Sequence, residues 1–442
     1  IAERMRGWDN VHLAISDSNF GMYKHDIEFS DIIADIQRTY DWPKVILTDT
    51  GKSKYEQIIS ISKKLGGALT LSMSQQSMNL PTLEAIRRKN LKPDEFLRIA
   101  NLARSENVPF DVEMIVPLPE ETKESFLDGF RILAKAGVQQ ITPFTTMMLR
   151  GTDTSNLETR NKYEMLTKYR LLPKQFGDYR GEKCFEVEEV CVATRDMPFD
   201  DYLQCRGFGL ISVVFSHRQL DVMQRHLVDL GISTFDFYRL AWEKAAQGDG
   251  LLNEVYRAFL RESEDETFDS EDEVNAFYSD PENYQALLRG ELGDNLMRKY
   301  TGEIFINHSL SVIRWGYQIL LELLGPDVEP EIVDAIKDAC RWVEASRQVG
   351  SAFRLDSDFF DHEQLDLQFD VARWYEEEPK AIPLWKYRTN VRYSLLPDES
   401  SIRDAVSTGR RLFGDDMMCW VPKILETVAI DTFWKRCSHI ST

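Results

Sequence analysis

Five short polar segments, each placed directly after a run of apolar residues, are the parts of this sequence best suited to chemistry. They combine carboxylates, amides, hydroxyls and glycines, the groups that orient a small polar molecule in a pocket. In a parallel βα fold the loops that follow the strands meet at one edge, so these segments are expected to form one binding site. The segments are residues 17–22, 49–52, 74–79, 117–122 and 145–148.

Helix capping is an alternative explanation for several of these residues. A short polar side chain before a helix can accept hydrogen bonds from its first amides without binding any ligand. This applies to Asp17, Asn19, Asp49 and Ser77. Gln76 is harder to explain as a cap, because it lies in the polar run 74–77 directly after an apolar strand. Together the five segments favour a small-molecule site.

Alternating short apolar runs and stretches of helical period surround these segments between residue 11 and about residue 148. This alternation predicts βα units around a parallel sheet with right-handed crossovers. Pro81 and Pro93 are expected in the first turns of helices. The apolar stripes that predict helices are Ile32, Ile33, Ile36 and Tyr40, then Tyr55, Ile58, Ile61 and Leu65. The predicted strands are residues 11–16, 45–48, 68–73, 111–116 and 140–146.

The rest of the chain has a different pattern, which predicts a domain boundary near residue 172. Residues 173–442 combine a strand-like segment at 188–193 with long helical patterns, so a mainly helical C-terminal domain is expected. Residues 262–273 are a block of like charge, which favours a solvated loop over a metal site. The predicted domains are therefore 1–172 and 173–442.

The bulk composition excludes several classes of protein. The formal net charge is -20, which disfavours general nucleic-acid binding. No apolar run reaches the roughly 18 to 20 residues of a membrane span. The six cysteines are few and scattered, unlike a secreted disulfide framework, so a reducing cytoplasm is expected.

Three of the polar segments resemble successive strand-end motifs of radical SAM enzymes, in matching order and spacing. They are residues 17–22 (Asp-Ser-Asn-Phe-Gly-Met), residues 76–79 (Gln-Ser-Met-Asn) followed by 86–90, and residues 113–122. The first two are similar to the subgroup that carries a cobalamin-binding domain ahead of its barrel. The resemblance covers roughly residues 1–150 and is weak beyond them.

This resemblance implies an α/β fold, a partial (β/α)6, TIM-like radical SAM barrel that lacks its first strand, followed by the mainly helical region. The family's cluster motif, Cys-x-x-x-Cys-x-x-Cys, has no counterpart here, so we expect that the chain is truncated at its start. Cys184, Cys191 and Cys205 follow the barrel with the wrong spacing and are not offered as substitutes. In the full-length protein the resemblance implies a [4Fe–4S] cluster, cobalamin and an upstream cobalamin-binding domain.

The resemblance also implies where S-adenosylmethionine binds. Asp17 and Asn19 are expected near its methionine group or the substrate, and Ser74 and Gln76 near the ribose or carboxylate. An apolar wall for the adenine is expected from Ile115, Val116 and Pro117, and backbone contacts to its edge from Thr145 and Thr146. The family commonly has glycine where this chain has Pro117 and Glu120, which predicts a less close backbone approach to the adenine.

The function implied is S-adenosylmethionine cleavage followed by radical methyl transfer, or a related modification, of a small-molecule substrate. The cofactors carry this chemistry and the side chains position them, so no catalytic base and no metal ligand is assigned. We expect that the chain alone is inactive without the cluster cysteines. Two alternatives stay open: a barrel enzyme of another kind that uses Asp17, Asp49 or Glu113, and a non-catalytic binding or interaction scaffold.

Overall fold

A computed structural model describes residues 2–5, 12–88, 91, 93–106, 108–138, 140–377, 382–425 and 428–440. The chain divides into two compact units. The first consists of Ile1–Lys168 and Glu189–Cys205, and the second of Tyr169–Glu188 and Arg206–Thr442. The chain passes between the two units three times, after residues 168, 188 and 205, where the sequence predicted one boundary near residue 172.

The first unit alternates strands and helices in the predicted order. All five predicted strands are present, although β1 and β2 have only two residues each. Val11, at the start of the first predicted strand, lies outside the described residues. The elements are α1 (Ala2–Met5), β1 (Leu13–Ala14), α2 (Lys24–Tyr40), β2 (Ile46–Leu47), α3 (Tyr55–Lys64), β3 (Leu71–Gln76), α4 (Leu80–Ala85), α5 (Pro93–Ser105), β4 (Phe110–Val116), α6 (Lys123–Lys135), β5 (Gln140–Thr145) and α7 (Leu157–Lys162).

The strands of the first unit are parallel neighbours in chain order. β1 pairs with β2, and β3, β4 and β5 pair in sequence. A bridge between Ile46 and Leu69 joins the two sets, and an antiparallel bridge between Met147 and Val190 follows β5. Among the described residues β1 pairs with β2 alone, and the strands form no closed barrel. The parallel strands of the first unit thus form an open sheet.

The helices α2 and α3 contribute to the core to different extents. The predicted stripe of α3 is buried throughout, at Tyr55, Ile58 and Ile61. The stripe of α2 is buried only in part, because Ile33 is 8% exposed whereas Ile32 is 56% exposed. The pattern therefore gave the correct helix but not the full extent of its buried face.

The remaining elements are a two-stranded β ribbon and the helices and strands that follow it along the chain. The second unit is mainly helical as predicted, but it also contains an antiparallel sheet of order β10-β9-β8 that was not predicted. Among the described residues no helix has an apolar stretch long enough to cross a bilayer. The elements are β6 (Leu166–Tyr179), β7 (Glu182–Ala193), α8 (Phe199–Ser216), α9 (Asp221–Asp229), α10 (Thr234–Gln247), α11 (Leu251–Asp265), α12 (Glu271–Ser279), α13 (Pro281–Arg289), α14 (Leu296–Asn307), α15 (Ser309–Leu324), α16 (Pro330–Ser346), α17 (Val349–Arg354), β8 (Glu363–Phe369), α18 (Val371–Glu376), β9 (Arg388–Pro397), α19 (Glu399–Phe413), α20 (Met417–Ile424) and β10 (Lys435–His439).

The acidic block at 262–273 is not the solvated loop expected from its charge. It comprises the end of α11, a short turn and the start of α12, where Ser270 caps the helix by accepting from the amide of Glu273. Carboxylates near a helix N-terminus are stabilised by the helix dipole. Two other carboxylates of this block form ion pairs. Glu262 lies 2.6 Å from Lys299, and Glu266 lies 2.9 Å from Arg170.

Candidate functional site

Two hydrogen bonds join the first two strand-end loops. The amide of Phe20 donates to the carbonyl of Asp49 at 3.1 Å, and the hydroxyl of Thr48 donates to the carbonyl of Asp17 at 3.1 Å. Within the first loop, Oδ1 of Asp17 accepts from the amide of Asn19 at 2.7 Å. Asp17 and Asn19 are both half-buried, so the structure brings them together in one tight turn at the edge of the sheet.

The helices that follow these loops have other N-cap residues. The start of α2 is held by Asp26, whose Oδ2 accepts from the amides of Gly21 and Tyr23. The N-cap of α3 is Lys54 and that of α4 is Asn79, and neither side chain makes a capping hydrogen bond. None of Asp17, Asn19 and Asp49 is the N-cap residue of these helices, whereas the hydroxyl of Ser77 accepts from the amide of Asn79, the N-cap residue of α4, at 3.0 Å.

The two faces of the β3–β5 sheet differ in burial. Met73, Val112 and Met114 are fully buried on one face, the core face. The other face, which we call the open face, carries half-buried or exposed side chains, and the register aligns them across the strands. The open face consists of Ser72, Ser74, Asp111, Glu113, Ile115, Thr142 and Phe144.

This division separates the predicted site residues. Ser74 and Ile115 lie together on the open face. Val116 and Thr145 are register partners on the core face, where Val116 is 1% exposed. Pro117 is also buried. The sequence analysis predicted an adenine wall from three consecutive residues. Consecutive side chains of a strand point to opposite faces, so Ile115 and Val116 lie on opposite faces of the sheet.

Gln76 ends β3 in an unusual conformation. The register of β3 against β4 shifts between Ser74 and Gln76, so Gln76 aligns with Met114. Its φ is 59°, a left-handed conformation that non-glycine residues adopt rarely. Such conformations occur often at binding sites, where the surrounding structure holds them in place. Gln76 is half-buried at the edge where the polar loops meet.

Charged residues accompany this edge. A guanidinium nitrogen of Arg88 donates to the carbonyl of Ser74 at 2.6 Å, and partial burial lowers the pKa of Arg88 against the opposing effect of the Glu113 carboxylate. On the open face, burial together with the charge of Glu113 raises the pKa of Asp111 to about 6. The open face therefore combines carboxylates with one nearby cation.

Glu121 was missed as a site residue although it lies in the third of the resembling segments. It is fully buried, and Oε1 accepts from the hydroxyl of Ser77 at 2.5 Å. Its Oε2 has no hydrogen-bond partner among the described residues. Burial raises the pKa of Glu121 to about 8, against the opposing effect of the Ser77 hydrogen bond, so the carboxyl is mostly protonated at neutral pH. Glu121 ties the loop after β3 to the loop after β4.

Glu120 occupies a position where the family commonly has glycine. Its φ is 60°, so this glutamate takes the left-handed conformation that glycine adopts without strain. The carbonyl of Glu120 accepts from the amide side chain of Asn79 at 2.9 Å. Its carboxylate pairs with Arg195 at 3.1 Å. Glu120 thus keeps the left-handed backbone turn that a glycine would adopt, while its side chain adds bulk that a glycine would not have.

No set of ligands for a metal cluster is present in the described part of the chain. No three of its His, Cys, Asp and Glu residues group so as to hold a metal ion. Burial also raises the pKa of Cys191, Cys340 and Cys437 to about 12 each and that of Cys205 well above its usual value, which disfavours thiolates. These residues do not fit a [4Fe–4S] cluster.

The histidines of the second unit have structural roles. His217 is half-buried, and its Nδ1 accepts from the amide of Gln219 at 3.2 Å. Burial lowers its pKa to about 4. His308 precedes α15 and lies 3.4 Å from Glu303. The aromatics Trp342 and Trp374 are buried, consistent with packing.

Comparison with known proteins identifies relatives for part of the chain. No family model matches it. It is 29% identical over 258 residues to 2-(S-pantetheinyl)-carbapenam-3-carboxylate methyltransferase of Streptantibioticus cattleyicolor, covering 56% of this chain and 37% of the relative. It is 28% identical over 237 residues to the cobalamin-dependent radical SAM methyltransferase TokK of Streptomyces tokunonensis, covering 51% and 34%.

A third relative has a different reaction. The tRNA-2-methylthio-N(6)-dimethylallyladenosine synthase of Bdellovibrio bacteriovorus is 22% identical over 194 residues, covering 43% of this chain and 40% of the relative. The chain thus matches between a third and two fifths of the length of each relative. These similarities support a relationship to the radical SAM superfamily and to its methyltransferases.

Proposed function

We propose that this chain supplies the S-adenosylmethionine-binding part of a cobalamin-dependent type of radical SAM enzyme that methylates, or modifies in a related way, a small molecule. The observation that carries the proposal is that Ser74 and Ile115 lie on the open face near the carboxyl ends of parallel strands, where Gln76 ends β3 in a left-handed conformation. Ligands of open α/β sheets bind at this edge. The relatives with methyl-transfer activity support the same assignment.

The residues at this edge suit the adenosine part of S-adenosylmethionine. Ile115 offers a half-buried apolar surface for a flat ring, and the amide of Gln76 and the hydroxyl of Ser74 offer donors and acceptors for ribose hydroxyls. Asp17 and Asn19 lie in the first loop, where the amino and carboxylate groups are expected. When bound, S-adenosylmethionine supplies the methyl group or the radical chemistry, while these side chains orient it and exclude water.

A [4Fe–4S] cluster does not fit the described residues. One observation favours the second candidate function, a binding or interaction scaffold without radical chemistry. It is the absence of any three-residue metal-ligand group in the described part of the chain. Binding of an adenosine ligand is common to both candidates, whereas cluster binding separates them.

Anaerobic reconstitution of this chain with iron and sulfide is expected to leave it without a stoichiometric cluster. A cluster needs thiolates, and the buried cysteines have raised pKa values that keep them protonated. The measurement is iron and sulfide analysis together with visible absorbance. A Cys184→Ser variant is the control for adventitious iron, because Cys184 is exposed. One full cluster per chain that persists in this variant would show that the assignment of the cysteines is wrong.

S-adenosylhomocysteine is expected to bind weakly, with a Kd on the order of 1 mM, because no metal anchors its amino-acid end. Gln76→Ala and Asn19→Ala should each weaken binding at least about fivefold, as expected for the loss of one hydrogen-bonding side chain. Ligand-observed NMR measures these affinities.

The matched control for these variants is Glu264→Ala, which alters an exposed residue on α11 in the second unit. It should bind like the parent protein. Equal binding by the parent, both edge variants and the control would mean that the edge residues do not contact the ligand, and the proposed function would lose its support.

A further inference from the structure

Gln76 lies at the centre of a tight turn that ends β3. The amide of Ser77 donates to the carbonyl of Gln75 at 2.7 Å, and the φ of Gln76 between them is 59°. A hydrogen bond between residues two apart, with a positive φ at the central residue, is the pattern of a γ-turn that is rare and strained. Such a turn persists only where the surrounding structure holds it. The contacts of Ser77 therefore decide whether Gln76 keeps this conformation.

The side chain of Glu121 reaches this turn from the loop after β4. Glu121 is fully buried, and its Oε1 accepts from the hydroxyl of Ser77 at 2.5 Å. The oxygen of the same hydroxyl accepts from the amide of Asn79 at 3.0 Å. A separate bond, from the side chain of Asn79 to the carbonyl of Glu120 at 2.9 Å, holds the start of α4. The contact with Glu121 is thus the one that fixes Ser77, next to the strained residue.

The contact between Glu121 and Ser77 suits a neutral carboxyl. Burial raises the pKa of Glu121 to about 8, and its Oε2 has no hydrogen-bond partner among the described residues. A carboxylate at this position would be shielded from water, and the bond to one hydroxyl returns less free energy than that burial costs. The charged form is therefore stable only where the two loops part and water reaches the carboxyl.

Among the described residues, the titratable groups around Glu121 are neutral or already paired. The thiol of Cys205, at the end of the first unit, interacts with Glu121, and burial raises the pKa of this thiol well above its usual value, so it stays uncharged. The neighbouring charged residues form two ion pairs, Lys123 with Asp201 at 2.8 Å and Glu120 with Arg195 at 3.1 Å. The protonation of Glu121 is thus set mainly by its own burial.

We propose that Glu121 is a positioning residue for the ligand site: through Ser77 it holds the turn that presents the Gln76 amide at the edge of the sheet, and it releases this turn when its carboxyl loses its proton. The inference rests on the proposed function, because Gln76 is assigned there to the adenosine part of S-adenosylmethionine. It adds a regulation of that site by pH.

The direction of the pH effect follows from the two states of the loops. The carboxyl has a pKa of about 8 in the closed loops and its ordinary value of 4.5 once water reaches it. Between these values the closed loops hold a proton that the open loops release, so the closed state loses free energy as the pH rises. Above about pH 8 this loss is complete. Ligand affinity should therefore be highest at low pH and fall toward pH 8.

The test measures the affinity of the whole chain for S-adenosylhomocysteine by ligand-observed NMR at pH 6 and pH 9. Ionisation of the ligand is common to all proteins, so variants are compared at the same pH. Glu121→Gln keeps an acceptor for Ser77 and cannot ionise; it should match the parent at pH 6 and bind at least about fivefold more tightly than the parent at pH 9. Glu121→Ala removes the contact and should bind at least about fivefold more weakly than both at pH 6.

The control is Glu124→Gln, which removes a negative charge at an exposed position in the first turn of α6. It should match the parent at both pH values. Equal affinity of the parent and Glu121→Gln at pH 9 would overturn the proposal. The same gain in Glu124→Gln would do so too, since it would show an effect of net charge alone.

Hydrogen exchange without ligand separates this inference from the proposed function. After correction for intrinsic rates, the amides of residues 74–79 should be less protected in the parent than in Glu121→Gln at pH 9, and equally protected at pH 6. If exchange follows this pattern but S-adenosylhomocysteine does not bind at pH 6, the proposed function fails and the hold of Glu121 on the turn stands. If the ligand binds all variants equally and exchange does not differ, the positioning role is removed and the proposed function stands.

Discussion

Replacing Glu121 with glutamine is expected to make the protein's unfolding free energy less sensitive to pH. The parent protein should lose unfolding free energy between pH 5 and pH 8, and the variant should be spared most of this loss. The folded-state pKa of Glu121 is raised to about 8 from 4.5, so in this window the folded protein holds a proton that the unfolded chain has released. The parent should then lose about 1.4 kcal/mol of unfolding free energy per pH unit from this group. Glutamine cannot ionise and keeps an acceptor for Ser77.

The measurement is urea unfolding of both proteins at several pH values. The two should have similar stability near pH 5, and the variant should be several kcal/mol more stable at pH 9. Asp111 also has a raised pKa, but its contribution is common to both proteins and cancels in the difference. Glu124→Gln, at an exposed position in the first turn of α6, should follow the parent at every pH. Parallel curves for the parent and Glu121→Gln would contradict the prediction.

The parallel sheet of the first unit could be predicted because its signals are local. Each strand is an apolar run, and each connecting helix has a periodic stripe or a proline at its start, so the order of elements follows from short windows of sequence. The short length of β1 and β2 could not be predicted. A strand ends where its hydrogen-bonded partner ends, which depends on residues distant in the sequence.

The antiparallel sheet of the second unit was missed for a related reason. Its order places β9 between β8 and β10, which are separated by more than sixty residues of chain. The strand β8 alternates buried and exposed residues, with Leu365 and Leu367 buried. That signal is short, and it is surrounded by strong helical patterns, so a mainly helical domain was the better prediction from the sequence alone.

The sequence could predict where the strand-end loops lie, but not which of their side chains face the open side of the sheet. The loops after each strand do lie at one edge, because parallel strands share a direction. The alternation of β4 places Val116 on the core face, and the register shift between Ser74 and Gln76 aligns Gln76 with Met114. Glu121 was missed because a glutamate before a helix suggests a surface residue, whereas here it is buried between two loops.

Arg347 is a charged residue that is fully buried in the core of the second unit. Its side chain is fully buried, and Nη1 donates to Oδ1 of Asp221 at 2.6 Å. The guanidinium carbon lies 3.8 Å from the centre of the Trp434 ring and 5.2 Å from that of Tyr375. The hydroxyl of Tyr375 donates to the other oxygen of Asp221 at 2.6 Å. A buried cation is thus held by one carboxylate and a set of aromatic rings.

Arg347→Ala is expected to lower the unfolding free energy of the second unit by about 3 to 5 kcal/mol, because it leaves Asp221 without its cation and a cavity among aromatic rings. The control is Arg218→Ala. Arg218 also pairs with one carboxylate, Asp431 at 2.7 Å, and lies near the Trp434 ring at 5.7 Å, but it is exposed. Its loss should cost less than about 1 kcal/mol. Urea unfolding followed by tryptophan fluorescence compares the two, and equal losses would mean that burial does not set the strength of this ion pair.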